Sequence, residues 1–197
     1  MKGQVFLIGA IIILIAIVLL KNLYSIYDTL EEKRWVESGD IEKKIKNIIR
    51  EYGYSAGIAT VQKSVNAEYL NELSVFLGND TDIESLYIFA YANGTRYDVT
   101  VGNFLGERIN ATVNATNSTP ASYAFGVLED KTNLTASFVS GINGSITLTL
   151  SYTAENKIVN ENIILAIANN SMVSFFDVKL KENDLWLRSK DVFNRTW

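Results

Sequence analysis

The 197-residue chain has no cysteine and no histidine, and only one proline. Without cysteine no disulfide can staple the fold, so any secreted part must be held by its own core. The two absences together remove thiol nucleophiles, Cys/His zinc sites and the usual neutral-pH general base. One proline and 12 glycines exclude collagen-like and proline-rich classes. Positive charge is also in short supply: 18 Lys and Arg face 22 Asp and Glu, a net charge of −4. Non-specific nucleic-acid binding rests on neutralising phosphates, so no nucleic-acid partner is expected. Ser, Thr and Lys form no nucleophile-and-base constellation legible in sequence, and the chain does not read as an enzyme. Asp80, Asp82 and Glu84 alternate with a spacing that suits calcium ligands, but no EF-hand glycine or distal glutamate follows. They read as an acidic turn, and neither a metal nor a cofactor is expected.

What is present begins with Val5 to Leu20, which holds no charged or polar side chain. As a helix it would span roughly 24 Å at 1.5 Å per residue, against a hydrocarbon core of about 30 Å. Lys2 and Gln4 before it and Lys21 after it can snorkel to close the gap. A secretory signal would be followed by small residues at a cleavage site. The residues that follow are Lys21-Asn22-Leu23-Tyr24-Ser25-Ile26-Tyr27, bulky throughout, so the segment is expected to stay. Leu20, Leu23, Tyr24, Tyr27 and Leu30 continue at spacings of three and four, an apolar stripe that needs a cover.

Lys2-Gly3-Gln4 before this run resembles the class III signal peptide of archaeal type IV pilin-like proteins. The resemblance covers about the first 30 residues. It implies that a prepilin peptidase cuts between Gly3 and Gln4, ahead of the apolar segment. It also implies assembly through packed hydrophobic helices, with Val5, Phe6, Ile8, Ile12, Ile13, Ile15, Leu19, Leu20, Leu23 and Tyr27 as assembly residues. Many pilins carry Glu five residues into the mature chain, where this one has Ile8.

Ser38-Gly39-Asp40 then punctuates the chain, and Asp40 can cap a helix carrying Ile41, Ile45, Ile48, Ile49 and Tyr52. Lys43, Lys44, Lys46 and Arg50 form its other face, which reads as solvated because Glu42 and Glu51 are mixed in. Gly53 to Gly57 reads as a break before a third helical stretch with Val61, Val65, Tyr69, Leu70, Leu73 and Leu77.

From about Leu86 the period changes to two. Asn93-Gly94 between Leu86–Tyr91 and Tyr97–Val101 predicts a hairpin, and Asn143-Gly144 predicts a second one. Further strands are expected at 108–114, 123–128, 163–168, 173–181 and 185–192, seven to nine in all, with a bulge at Phe175–Phe176. Phe89, Tyr97, Phe104, Phe125, Phe138, Phe175 and Trp186 in these strands read as core rather than as a sugar platform.

Asn-x-Ser/Thr occurs at Asn79, Asn93, Asn110, Asn114, Asn117, Asn133, Asn143, Asn169 and Asn194. All nine lie beyond Gly78, where composition alone predicts about three; the excess reads as an N-glycosylated extracellular domain.

The expected fold class is α+β: a long N-terminal hydrophobic helix plus short helices, followed by an antiparallel β-sandwich. The expected division is a leader at 1–3, the hydrophobic helix at 4–37, a helical linker at 38–78 and the glycosylated sandwich at 79–197. Two functions stay open. One is a structural subunit of a type IV pilus-like surface filament, a helical homo-oligomer held in the membrane before assembly with its N-terminus cytoplasmic. The other is a monomeric surface protein, anchored by one helix, that binds a partner. The Gly3–Gln4 junction and the continuing stripe favour the first, Ile8 the second.

Overall fold

The structure, a computed structural model, describes residue 21 and residues 39–58, 67–79, 82–154, 157–168, 170–182 and 185–196. The chain divides into two compact units, Met1–Glu42 and Lys43–Trp197. In the first, the described residues are Lys21 and 39–42, all helical. The described residues of the second hold the rest of helix α1 (39–58), helix α2 (Glu68–Leu77) and ten strands.

The strands are β1 (Ile83–Asn93), β2 (Arg96–Phe104), β3 (Ile109–Ala115), β4 (Ser118–Thr119), β5 (Ser122–Leu128), β6 (Thr132–Ser140), β7 (Gly144–Ala154), β8 (Lys157–Ile167), β9 (Ser171–Glu182) and β10 (Leu185–Thr196). They form two antiparallel sheets, one ordered β10-β9-β1-β2-β6-β4 and the other β5-β3-β7-β8. Alternation explains the four-stranded sheet. In β7, Ile146, Leu148, Leu150 and Tyr152 are buried, while the residues between them are Ser and Thr. They meet Leu86, Ile88, Val99, Val101 and Phe175 from the six-stranded sheet in one core.

The expected fold class needs correction. Strand dominates the described residues, and none of their helices is long and apolar enough to cross a membrane. The described residues thus hold no long N-terminal hydrophobic helix, and the described fold is an antiparallel β-sandwich with two helices. Residues 5–20 lie outside the described residues. From Lys43 on, the helical residues belong to the sandwich unit because they cover a sheet whose second face is also apolar. In β9, residues 171–178 are all buried, one face in the core and the other against the helices. Tyr52 of α1 stacks on Phe176 with ring centres 4.9 Å apart. Its hydroxyl also joins both helices to β1, lying 2.8 Å from Ser74 Oγ and 2.7 Å from Ser85 Oγ. Ser74 donates its proton to the Leu70 carbonyl, so Tyr52 donates to Ser74 and accepts from Ser85.

Three local expectations also change. Phe175 and Phe176 are not a bulge, because β9 pairs with β1 in unbroken register, Ile88↔Phe175 and Tyr87↔Phe176. The two-sided burial had disturbed the apparent period. A register shift lies instead between Ala111 and Thr112, where β3 meets β5. Gly53 and Gly57 do not break α1, which runs through them to residue 58. The Asn93-Gly94 hairpin is present, closed by Asn93↔Arg96 with Gly94 at φ 67°. Asn143-Gly144 makes no hairpin: β6 pairs with β2 and β4, β7 pairs with β3 and β8, and the chain crosses between sheets there.

One close approach depends on glycine. Gly102 sits opposite Tyr87, and a Cβ at that position would lie 2.1 Å from the tyrosine ring. The ring fills the space that a side chain would need.

Candidate glycan-bearing surface

Register places most of the candidate acceptor asparagines at one end of the sandwich. Ala92 pairs with Ser171, and Ser171 with Thr196, so the 93–95 turn, the start of β9 and the end of β10 share an end. Backbone bonds carry that end across the molecule: Ser140 N–H donates to Thr95 O, Gly141 N–H to Asn117 O, and Thr116 N–H to Thr147 O. Asn93, Asn117 and Asn143 occupy these turns, and Asn194 lies two residues from the end of β10. Asn114 is one residue from the same end of β3.

The opposite end is marked by Ile83, where β1 begins, and Glu182, where β9 finishes. Lys44 lies there, its ammonium 2.7 and 2.8 Å from the two Glu182 carboxylate oxygens. The sandwich unit thus begins in sequence at one end and gathers its sequons at the other. The pair also gives one member of the expected solvated basic face a specific partner.

Asn79, Asn93, Asn110, Asn114, Asn117, Asn143 and Asn194 are exposed. Asn110 and Asn114 point outward from β3, in phase with exposed rather than core positions. Asn133 differs. It is half-buried, and its amide nitrogen donates to Asn71 Oδ1 at 2.7 Å. The hydroxyl of its sequon threonine, Thr135, is engaged with Thr100 Oγ1 at 2.8 Å. An acceptor amide must leave its hydrogen bonds and reach solvent to be modified, and Asn133 is held on both counts. Glycopeptide mapping is expected to find sugar on several of the seven exposed asparagines and none on Asn133. A fully occupied Asn133 beside bare exposed sites would contradict this. Asn169 lies outside the described residues, as do Gly3, Gln4 and all ten expected assembly residues.

A charge cluster that the sequence did not reveal lies on the core side of β9. Asp177 is buried and gripped by Arg188, with Nε 2.7 Å from Oδ1 and Nη2 2.5 Å from Oδ2. Tyr152 donates to the same carboxylate at 3.1 Å, and Lys190 pairs with Glu161 beside it. Burial, then the Asp177 charge, raises the Tyr152 phenol above its ordinary range. The hydrogen bond to Asp177 holds Arg188 firmly protonated. The adjoining cleft of about 340 Å³ is lined by Glu84, Glu107, Asp177, Lys157, Lys179 and Arg188. Three acids and three bases balance there, and Glu84 already pairs with Lys179 at 3.0 Å. The cluster locks β9, β10 and β7 together and presents no net charge to a ligand.

A second missed feature is a groove of about 630 Å³ lined by Ile49, Gly53, Gly57, Ile58, Phe176, Val192 and Phe193, with Arg50, Asp191 and Arg195. The signal was the Gly53/Gly57 spacing of four, which suits a helix face as well as a break. Among the expected core aromatics, Phe89, Tyr97, Phe104, Phe138 and Phe175 are buried and Phe125 is half-buried, whereas Trp186 is 67% exposed. No protein-family model matches the chain, and neither a curated protein nor a solved structure shows significant similarity to it.

Proposed function

We propose that the protein is a structural subunit of a type IV pilus-like surface filament, of the kind found in archaea. It is held through the apolar segment 5–20 and displays the β-sandwich outward. The observation that carries this reading is the polarity of the sandwich unit. The chain comes in near Lys44 at one end, and exposed sequons crowd the other. A subunit fixed to a membrane or filament core by its N-terminal side would present that far end to the surroundings, where glycans are tolerated. The Lys2-Gly3-Gln4 junction supplies the processing step, and the apolar segment supplies a contact that needs no specific polar partner. Prepilin peptidase and further copies of the chain are the partners this reading requires. The orientation before assembly is N-terminus cytoplasmic and sandwich outside.

N-terminal mass spectrometry of native protein is expected to find Gln4 as the first residue, and electron microscopy of purified material to find threads. A chain starting at Met1 or near residue 25 would overturn the pilin-like reading. Discrete particles with an intact anchor would favour the monomeric surface protein, the reading that Ile8 in place of glutamate supports.

A further inference from the structure

Sheet edges invite unwanted pairing, and proteins guard them with short strands, bulges, prolines and charges. Among the described residues, three of the four sheet edges are guarded. β4 is two residues long, β5 carries the register shift opposite β3 and Gly126 at φ 71°, and β10 bears Arg188, Lys190, Asp191 and Arg195. β8 is the exception. It runs 11 residues without proline, in unbroken register with β7 from Gly144↔Ile167 to Ala154↔Lys157. Leu148, Leu150 and Tyr152 of β7 are core residues opposite Ile163, Glu161 and Val159, so the even-numbered residues of β8 face outward. Those are Ile158, Asn160, Asn162, Ile164 and Ala166, none of them charged. Ile158 is 76% exposed and Ile164 66%.

The outward residues read the same in both directions about Glu161: Ile, Asn, Asn, Ile. We infer that β8 pairs with β8 of a second copy, antiparallel and centred on Glu161. A two-fold contact must be self-complementary, and this register makes it so. Ile158 then faces Ile164 of the other copy, and Asn160 faces its Asn162, each pair occurring twice. Shifting the centre to residue 160 or 162 places asparagine against isoleucine instead. On the inner side Val159 meets Ile163, and the two Glu161 carboxylates approach the axis, each neutralised by Lys190 of its own copy. The outward asparagines of β3 lie two strands away, about 10 Å.

The axis of such a pair is perpendicular to the sheet, so the sequon-rich end of one copy lies beside the opposite end of the other. This consequence rests on the filament reading above. Subunits sharing one orientation in a membrane or filament cannot make the contact, so it joins copies from antiparallel filaments or from facing surfaces.

The chain has no cysteine, which makes cross-linking clean. Full-length Asn160→Cys and Asn162→Cys chains, differently tagged and mixed in detergent under mild oxidation, are expected to form a disulfide-linked heterodimer. Directly opposed Cβ atoms lie about 4.5–5.5 Å apart, whereas like positions are diagonal at about 7–8 Å, so each variant alone should cross-link poorly. Adding Ile158→Lys and Ile164→Lys to both chains sets lysine against lysine at exposed positions, and the yield should fall about tenfold or more. A mixture no better cross-linked than its components, or a yield unmoved by the lysines, would overturn the contact. Filaments without this cross-link would refute the edge pairing alone. Specific cross-links without filaments would leave the pairing standing and refute the function proposed above.

Discussion

Replacing Ile13 with aspartate is expected to abolish filaments while leaving the sandwich folded. Ile13 lies midway along Val5 to Leu20, where no polar or charged side chain waits to receive a carboxylate. In lipid or among neighbouring copies of the segment, that carboxylate is buried without a partner, at a cost of several kcal/mol. Each isoleucine or leucine in the segment contributes about 1.5–3 kcal/mol when covered, so apolar contacts favour association strongly until a charge enters them. The penalty recurs in every subunit, which makes the expected result a complete loss rather than a graded one. Ile13→Leu, keeping the chemistry and volume, should still give filaments. Electron microscopy of both variants, with circular dichroism to verify the strand signal, checks the expectation. Threads from the aspartate variant would move the assembly contacts out of this segment.

Raising the pH past about 10 is expected to unfold the sandwich unit. Tyr52, Tyr87, Tyr97 and Tyr152 are buried side chains, each 2% exposed or less. Burial is the leading cause that raises each of their phenols above the ordinary tyrosine value of about 10. Tyr87 is pushed further by Tyr52, and Tyr152 by the Asp177 carboxylate. A raised folded pKa means that the folded state prefers the neutral phenol. The stabilisation is complete below the unfolded value and is lost as pH climbs from there towards the folded value. In that window each fully shifted phenol costs about 1.4 kcal/mol per pH unit, and the four costs run in the same direction. They draw on a whole-domain stability of only about 5–15 kcal/mol. Urea unfolding followed by circular dichroism between about pH 9 and 11 should show the midpoint falling steeply. Tyr52→Phe should lessen the slope while losing the bonds to Ser74 and Ser85. A midpoint flat across the window would mean that these phenols ionise without unfolding the chain.

Local chemistry made part of this legible in advance. Asn93-Gly94 closes a hairpin because its turn needs little beyond four consecutive residues and a positive φ at Gly94. Alternation along β7 and the helical spacing from Ile41 to Tyr52 are set by which side chains share a face, a property of spacing alone. The sequons, the absent cysteines and the apolar run from Val5 to Leu20 are likewise facts of the sequence, and the function proposed here starts from them.

Pairing partners are a different matter, because strands choose them across long separations. Asn143-Gly144 has the same turn chemistry as Asn93-Gly94, yet β2 and β4 already occupy both sides of β6, so the next strand had to cross to the other sheet. Two-sided burial of β9 erased the alternation that marks a strand buried on one face, and suggested a bulge where the register is continuous. Asp177 and Arg188 are 11 residues apart and look like ordinary surface charges until β9 and β10 set them side by side. Gly53 and Gly57 could have ended a helix in isolation, but packing against the sheet carries α1 through them. The gathering of sequons at one end was decided in the same way, by loops from distant parts of the chain meeting where the strands stop.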